Sequence, residues 1–418
     1  MTADYAVGDA LMTVERALAL LAERVEPAGR VEQVALADAL GRVLAEDVVS
    51  PLNVPPYDNS AMDGYAFAAA TLPADGRLRR VGRSAAGHPF AGTVGAGECI
   101  RILTGAMVPT SVDTVAMQED CSVDGEWVTV PTDPKPGTNC RPAGEDVAQG
   151  TVVLSAGTRL RPQEIGLAAA VGRTALRVHA PLRAAVFSTG DEINPPGAPL
   201  PVGGIYDSNR FTAGALLRAL GLAVTDLGIL PDDRAAIAAA LERAAADHDV
   251  VLTSGGVSVG DEDHVKAAVE ALGTLHFWRL AIKPGKPVAL GAVRGATFIG
   301  LPGNPVAVMV CFLLLVRPLL LRLMGATATA LATVPVRAAF AFRHKPGRRE
   351  WLRVRLVNRD GLPWAEKYPV ESSGVLSSMV WADGMLSVAE ERGDVAVAPA
   401  ACAAQVSRSC RIREMPER

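Results

Sequence analysis

The chain has 418 residues, 49% hydrophobic and 21% charged, with a formal net charge of -4. That length exceeds one core and points to two to four domains. The composition is that of a soluble globular protein, and the acidic balance argues against a general nucleic-acid binder, which would carry a basic face.

The N-terminus, "MTADYAVGDALMTVERALALL", has acidic residues where a secretory signal would carry positive charge, so the expected location is the cytoplasm. Thr13 stands at the N-cap position of a helix over "VERALALLAERV", and "VALADALGRVLAE" (Val34 to Glu46) repeats the helical period. "SPLNVPPYDNSAMDGYAF" is an ordered loop, because paired prolines with Asn, Asp and Gly exclude a helix. From about 75 to 140, short runs such as "CIRILTGAM" and "TVAMQED" predict a mostly β module. "RPQEIGLAAAVG" places Pro162 near a helix start and Gly172 near its end.

From about 180, strands and helices alternate. "LRAAVFSTGDEI" is a strand, "DSNRFTAGALLRALG" a helix capped by Asp207, Ser208 or Asn209, and "AVTDLGILPDD" a strand and loop. "DRAAIAAALERAAADH" is a helix, and "DVVLTSGGVSVGDEDHVKAAVEALG" runs strand, Gly-rich loop, helix. This alternation predicts a parallel, doubly wound sheet whose site lies at the strand carboxyl ends. The longest apolar run, 306–316, has 11 residues; it is too short to span a bilayer and reads as the start of a buried helix. After Gly325 the pattern returns to β, as a small barrel or sandwich. The six cysteines form no CxxC pair and no Cys/His metal spacing, as expected for free thiols in a reducing compartment.

Three loops of the α/β region share a type: "STGDE" (188–192), "TSGGVSVGDED" (253–263) and "GLPGNP" (300–305). Glycine lets backbone N–H groups approach an anion, and a helix start adds partial positive charge. Acidic residues at the same strand ends (Asp191, Glu192, Asp232, Asp261, Glu262, Asp263) suit a hard cation, with helix capping as the alternative for each. Walker A spacing and the dinucleotide fingerprint are both missing. Of 41 basic residues only six are lysines, and two of these, Lys283 and Lys286, share the stretch "KPGKP".

"PPYDNSAMDGYA", "RILTGAMVP", "GEDV", "FSTGDEI", "IYDSNR", "SGGVSVGDED", "AIKPGKP" and "GLPGNPV" follow one another from about residue 8 to about 400. In this order they resemble the molybdopterin molybdenumtransferase family, the MoeA type, similar also to the E domains of gephyrin and plant Cnx. The resemblance implies a Mg²⁺-dependent transferase that inserts molybdenum from molybdate into adenylylated molybdopterin and releases AMP. It also implies an α/β multi-domain homodimer whose active site is shared between subunits. Its parts are a linker/dimerisation region (1–50, completed by 143–178), a mostly β module (51–142), a molybdopterin-binding-like α/β domain (179–326) and a C-terminal β-barrel (327–418). The expected partners are small-molecule substrates and, in the pathway, the molybdopterin adenylyltransferase; no nucleic acid and no membrane are expected.

By the same resemblance, Lys283, Lys286 and Pro287 form the molybdate pocket with Ser258, Arg353 and Ser373, the last two on looser local matches. Two lysines on a proline-stiffened turn suit a compact tetrahedral dianion better than arginine forks. The carry-over assigns Asp63, Thr104 and Asp146 to a wall contributed across the subunit boundary, and Glu192, Asp232 and Asp263 to magnesium or phosphate. Asp63 fixing its own loop and Asp146 bonding backbone N–H groups are the structural alternatives. Thr189, Gly190, Ser254, Gly255, Gly256, Pro302, Gly303, Asn304 and Pro305 make the molybdopterin and phosphate loops, with Glu192 and Asp232 as metal ligands. Two departures stand out: Arg279 where many relatives have lysine, and Ala307 where serine is frequent. The rival functions are a gephyrin-like scaffold and a different nucleotide-processing enzyme on the same α/β domain.

Overall fold

The computed structural model describes residues 11–255 and 264–395 and the backbone of the strand Ala404–Ser407. At its centre is a six-stranded sheet in the order Ala223–Leu230, Arg183–Thr189, Val250–Ser254, Ala296–Leu301, Pro287–Val293, Gly273–Arg279. The first four strands are parallel, as the alternating pattern predicts. Pro287–Val293 pairs antiparallel with both of its neighbours, a departure from the all-parallel expectation. Connection length explains it. A parallel return needs a crossover of a dozen or more residues. Here only 280–286 separate one pair of strands, and Arg294 and Gly295, both at positive φ, close the other as a tight hairpin turn.

Both faces are covered. One buries the helix Val14–Arg24, the helix Asn209–Leu220 and the apolar helix Pro305–Leu323 in a single core; the other carries Arg234–Asp247 and His264–Leu272. The helix Pro305–Leu323 is long and apolar enough to cross a membrane, yet 78% of it is buried inside the protein, as a core helix should be. It tolerates Pro318 because a π-helical turn, Phe312–Val316, precedes it and relaxes the ladder that a proline interrupts.

A helix over 34–46 does not form. Strand Val31–Ala35 pairs antiparallel with Ala175–His179, a short helical turn covers Leu36–Asp38, and Gly41 at φ +75° redirects the chain. Here the cross-chain ladder overrides local propensity. The β module is a six-stranded sheet of residues 64–129. At the C-terminal end, strands Arg349–Arg359, Leu362–Lys367, Thr333–Ala338, Ala404–Ser407 and Gly384–Val388 pair in sequence, and the last returns to the first.

Gly291 tests the antiparallel pair. A Cβ there would lie 2.0 Å from the carbonyl oxygen of Thr274 on the neighbouring strand. Gly291→Ala therefore forces the strands apart and should cost about 1–3 kcal/mol or more. A denaturant midpoint equal to the parent's would contradict this.

Candidate active site

Strand Arg183–Thr189 sends its chain outward to Ala223–Leu230 on one side, and Val250–Ser254 lies on the other. Strand order therefore reverses between Thr189 and Ser254, and in open α/β sheets a crevice forms outside the carboxyl ends at that point. A cleft of about 530 Å³ lies there. Thr189, Gly190, Glu192, Asp232, Ser254, Gly255, Gly303, Asn304 and Pro305 line it, so the three glycine-bearing loops do converge.

The loops are locked to one another. Ser254 Oγ donates to Pro302 O at 3.1 Å, the amide of Gly255 donates to Leu301 O at 3.1 Å, and Asn209 Nδ2 donates to Gly303 O at 2.6 Å. Gly190 sits at φ +137° with the Glu192 carboxylate folded over it; a Cβ would lie 2.6 Å from Glu192 Oε2. A side chain there would push the carboxylate aside, and the positive φ itself favours glycine. Thr189 Oγ1 donates to Asp232 Oδ1 at 3.4 Å, which brings the second acid to the same rim. Both carboxylates are exposed.

Two helices, Asn209–Leu220 and Pro305–Leu323, begin at the cleft and direct the positive ends of their dipoles to it; Ser208 and Asn304 make no side-chain cap bond, while the Arg210 amide is held by Asp207 and the Val306 amide by the Ser373 carbonyl. Ser188 Oγ and Asn209 Oδ1 line the cleft and are buried without a hydrogen-bond partner among the described residues. Buried polar atoms of this kind are expected to be satisfied by a bound molecule or water.

Sequence reasoning missed part of the lining. Tyr206, Asp207, Ser208 and Asn209 belong to it, and so do Gly374 and Leu376. Asp207 is buried and locked to Arg210 at 2.7 Å, and Arg210 also bonds Asp226, so "DSNR" is a built corner rather than a plain helix cap. The amide of Arg210 donates to Asp207 Oδ1, which answers which residue of that trio bonds the helix start.

Other expected residues stand elsewhere. The "KPGK" turn joins the two antiparallel edge strands and packs on the second turn of the long apolar helix: a Cβ on Gly285 would lie 2.5 Å from Cys311 Sγ. Cys311 donates to Gly285 O at 3.1 Å, and full burial raises its thiol pKa, so it holds the turn as a neutral group. Lys283, Lys286 and Pro287 do not line the cleft of the lone chain. Lys283 pairs with Glu350 at 3.0 Å, on the short strand Ile282–Lys283 that runs parallel to Arg349–Arg359. The Lys286 side chain has no such partner among the described residues.

Arg353 differs most from its expected role. It is 3% exposed, and its Nε donates to Ser378 Oγ while Nη2 donates to Val370 O and Ser372 O. It shapes the loop 370–378 instead of facing open space. Ser373 lies on that loop, and its carbonyl accepts the Val306 amide at 3.0 Å, docking the loop on the start of the long helix. Arg353 therefore reaches the cleft only by holding the loop that carries Gly374 and Leu376.

Asp63, Thr104 and Asp146 lie in the N-terminal half, outside the cleft of their own chain. Asp63 Oδ1 accepts from both the amide and the hydroxyl of Thr104, each at 2.7 Å. These two bonds, the hydroxyl's first, hold its carboxyl below the usual range. Asp146 is exposed, and its amide donates to Val54 O at 3.0 Å. Gly256, Ser258, Asp261, Glu262 and Asp263 lie outside the described residues. Among the described residues no cluster of three His, Cys, Asp or Glu could hold a metal by itself.

Comparison with known proteins matches this arrangement along the chain. Residues 12–172 match the MoeA N-terminal region (domain I and II), 185–322 the probable molybdopterin binding domain, and 335–398 the MoeA C-terminal region (domain IV). The molybdopterin molybdenumtransferase of Haemophilus influenzae is 39% identical over 394 residues, covering 92% of this chain and 96% of the relative. Molybdopterin molybdenumtransferase 2 of Mycobacterium tuberculosis is 36% identical over 384 residues, 87% and 92% of the two chains. The molybdopterin biosynthesis MoeA protein of Pyrococcus horikoshii OT3 superposes with a TM-score of 0.80 at 28% identity, over 95% of this chain and all of that one. With its three regions present in order and relatives similar over nearly their whole length, the chain belongs to the MoeA family.

Proposed function

We propose that this chain is a molybdopterin molybdenumtransferase: it takes adenylylated molybdopterin and molybdate, inserts molybdenum into the dithiolene and releases AMP. The observation that carries this reading is the cleft at the strand reversal. Its two helix N-termini and the partnerless Ser188 hydroxyl suit phosphate oxygens, and Asn209 Oδ1, which only accepts, suits an N–H or O–H of the same ligand. Its size also suits a pterin nucleotide better than a lone anion.

The donor set fits magnesium. Mg²⁺ binds through one or two carboxylates and completes its shell with water and substrate phosphates. Glu192 and Asp232 are two exposed carboxylates on that rim, with no soft ligand beside them. Bound there, the ion would supply positive charge to the phosphate oxygens. The chain's own groups do the rest: the glycine loops admit the phosphates, the Asn209 amide fixes the loop at Gly303, and the 370–378 loop closes one side. Molybdate is assigned to the neighbourhood of Lys286, Lys283 and Ser258.

Asp63, Thr104 and Asp146 reach a cleft only if a second copy presents them, so a homodimer with a shared site completes the reading. The molybdopterin adenylyltransferase would supply the substrate in the cytoplasm. Purified protein given adenylylated molybdopterin, Mg²⁺ and molybdate should release AMP in proportion to molybdenum inserted; binding without AMP release overturns the assignment. Mixing Asp63→Ala with Asp232→Ala subunits should restore part of the activity. A mixture as inactive as either parent argues that each chain works alone.

A further inference from the structure

A second cavity, of about 260 Å³, lies where residues 40–43, Arg159 and 179–181 meet the C-terminal end of helix Asn209–Leu220 and Met324. Its charged lining is Arg42, Arg159 and Arg218, with His179 beside them and no carboxylate. It shares no residue with the cleft.

The three arginines differ in how far they are neutralised. Arg42 pairs with Glu32, and exposed Arg218 has Asp226 in electrostatic reach. Arg159 has neither. Its Nε donates to Gly41 O at 3.2 Å and its Nη2 to Leu220 O at 3.3 Å, both neutral carbonyls. Arg317 is half-buried and donates to the carbonyl of Thr329; its pKa is lowered by burial and then by the charge of Arg159. Burial also lowers the Arg159 pKa. Two half-buried guanidinium groups in electrostatic reach of each other, with no carboxylate paired to either among the described residues, are costly, because a buried charge needs an opposite partner.

The helix end contributes carbonyls that oppose an anion, but three of them are taken. Leu220 O accepts from Arg159, Arg218 O from the amide of Gly221, and Leu217 O from the amide of Leu222. His179 Nδ1 is buried without a partner among the described residues, a further polar atom awaiting one.

We infer that this cavity is a second anion site, separate from the cleft, which takes a compact multivalent oxyanion of the phosphate class between the N-terminal linker region and the α/β domain. Arg159 already spans the two, from Gly41 to Leu220, so an anion held on it clamps their junction. A guanidinium group bonds phosphate oxygens side by side where it has room, and a cavity of about 260 Å³ gives these arginines more space than a lysine-bearing turn does. The ligand is either free phosphate or the phosphate end of a nucleoside monophosphate.

The test is calorimetric titration of the full chain with inorganic phosphate, then with AMP, at constant ionic strength. It is run on the parent, on Arg159→Gln and on Asn304→Asp, whose added charge repels anions from the cleft. Phosphate binding should persist in Asn304→Asp and weaken at least tenfold in Arg159→Gln. Arg218→Glu, on an exposed position, repeats the test should Arg159→Gln not fold, and should also weaken binding at least tenfold. AMP competing with phosphate in Asn304→Asp identifies a nucleotide ligand; phosphate binding without competition identifies the free oxyanion. Binding lost in Asn304→Asp and kept in the arginine variants means the cleft is the sole anion site and overturns the inference. The absence of saturable phosphate binding in the parent overturns it equally.

Discussion

Asp232→Ala and Glu192→Ala should each lower magnesium-supported AMP release by on the order of a hundredfold or more. A metal ion stabilises developing charge by several kcal/mol, and each 1.36 kcal/mol is a factor of ten in rate. The effect should fall on turnover. Metal-free molybdopterin still meets the Gly303 and Asn304 amides and the Ser188 and Asn209 side chains, so its binding should change only a few-fold. Melting temperature should hardly move, because both carboxylates are exposed and Asp232 makes one long contact, 3.4 Å, with Thr189. Glu192→Gln is the sharper variant: it keeps the side chain folded over Gly190 but removes the charge. Full activity in Glu192→Gln, or turnover after exhaustive chelation, would show that these acids shape the loop and hold no metal.

What the sequence made readable follows from how local each signal is. A glycine-bearing loop after a buried strand can only emerge at the strand's carboxyl end, so Thr189, Gly190, Ser254, Gly255, Gly303 and Asn304 announced the cleft. The Asn209 corner was readable only as a helix cap. Its bond to Gly303 joins residues 94 apart, and no local pattern reports that. Gly374 and Leu376 come from the loop 370–378 of the C-terminal region, whose docking on the start of the long helix no local pattern reports. Residues 34–46 carry helical spacing, but their fate was set by Ala175–His179, a strand more than a hundred residues away. Arg353 enters the molybdate pocket only by resemblance, on a loose local match; its burial against Val370, Ser372 and Ser378 is a property of packing that no local match carries. The same holds for Lys283, whose partner Glu350 lies in the C-terminal region.

That partner separates the two lysines of "KPGK". Lys286→Ala should raise the molybdate concentration for half-maximal insertion at least tenfold, since a charge-assisted contact is worth roughly 1.5–3 kcal/mol, or one to two decades of affinity. Lys286→Arg should fail nearly as badly, because a planar fork cannot converge on a small tetrahedron in the space an ammonium occupies. With no partner among the described residues, Lys286 contributes little to stability, and its variants should melt with the parent. Lys283→Ala should behave differently. The Glu350 side chain is only 9% exposed, and losing the lysine leaves a buried carboxylate unpaired, which lowers stability by about 1–3 kcal/mol. The double variant Lys283→Ala with Glu350→Gln should recover most of that stability while its molybdate dependence stays weakened. Lys345→Ala, at an exposed position away from the turn, is the control and should be neutral. If the double variant also recovers normal molybdate dependence, Lys283 is a strut between the edge strands and the C-terminal ring, and Lys286 alone meets the anion. If Lys286→Ala melts early and keeps the parent's molybdate dependence, the turn binds no molybdate and serves packing only.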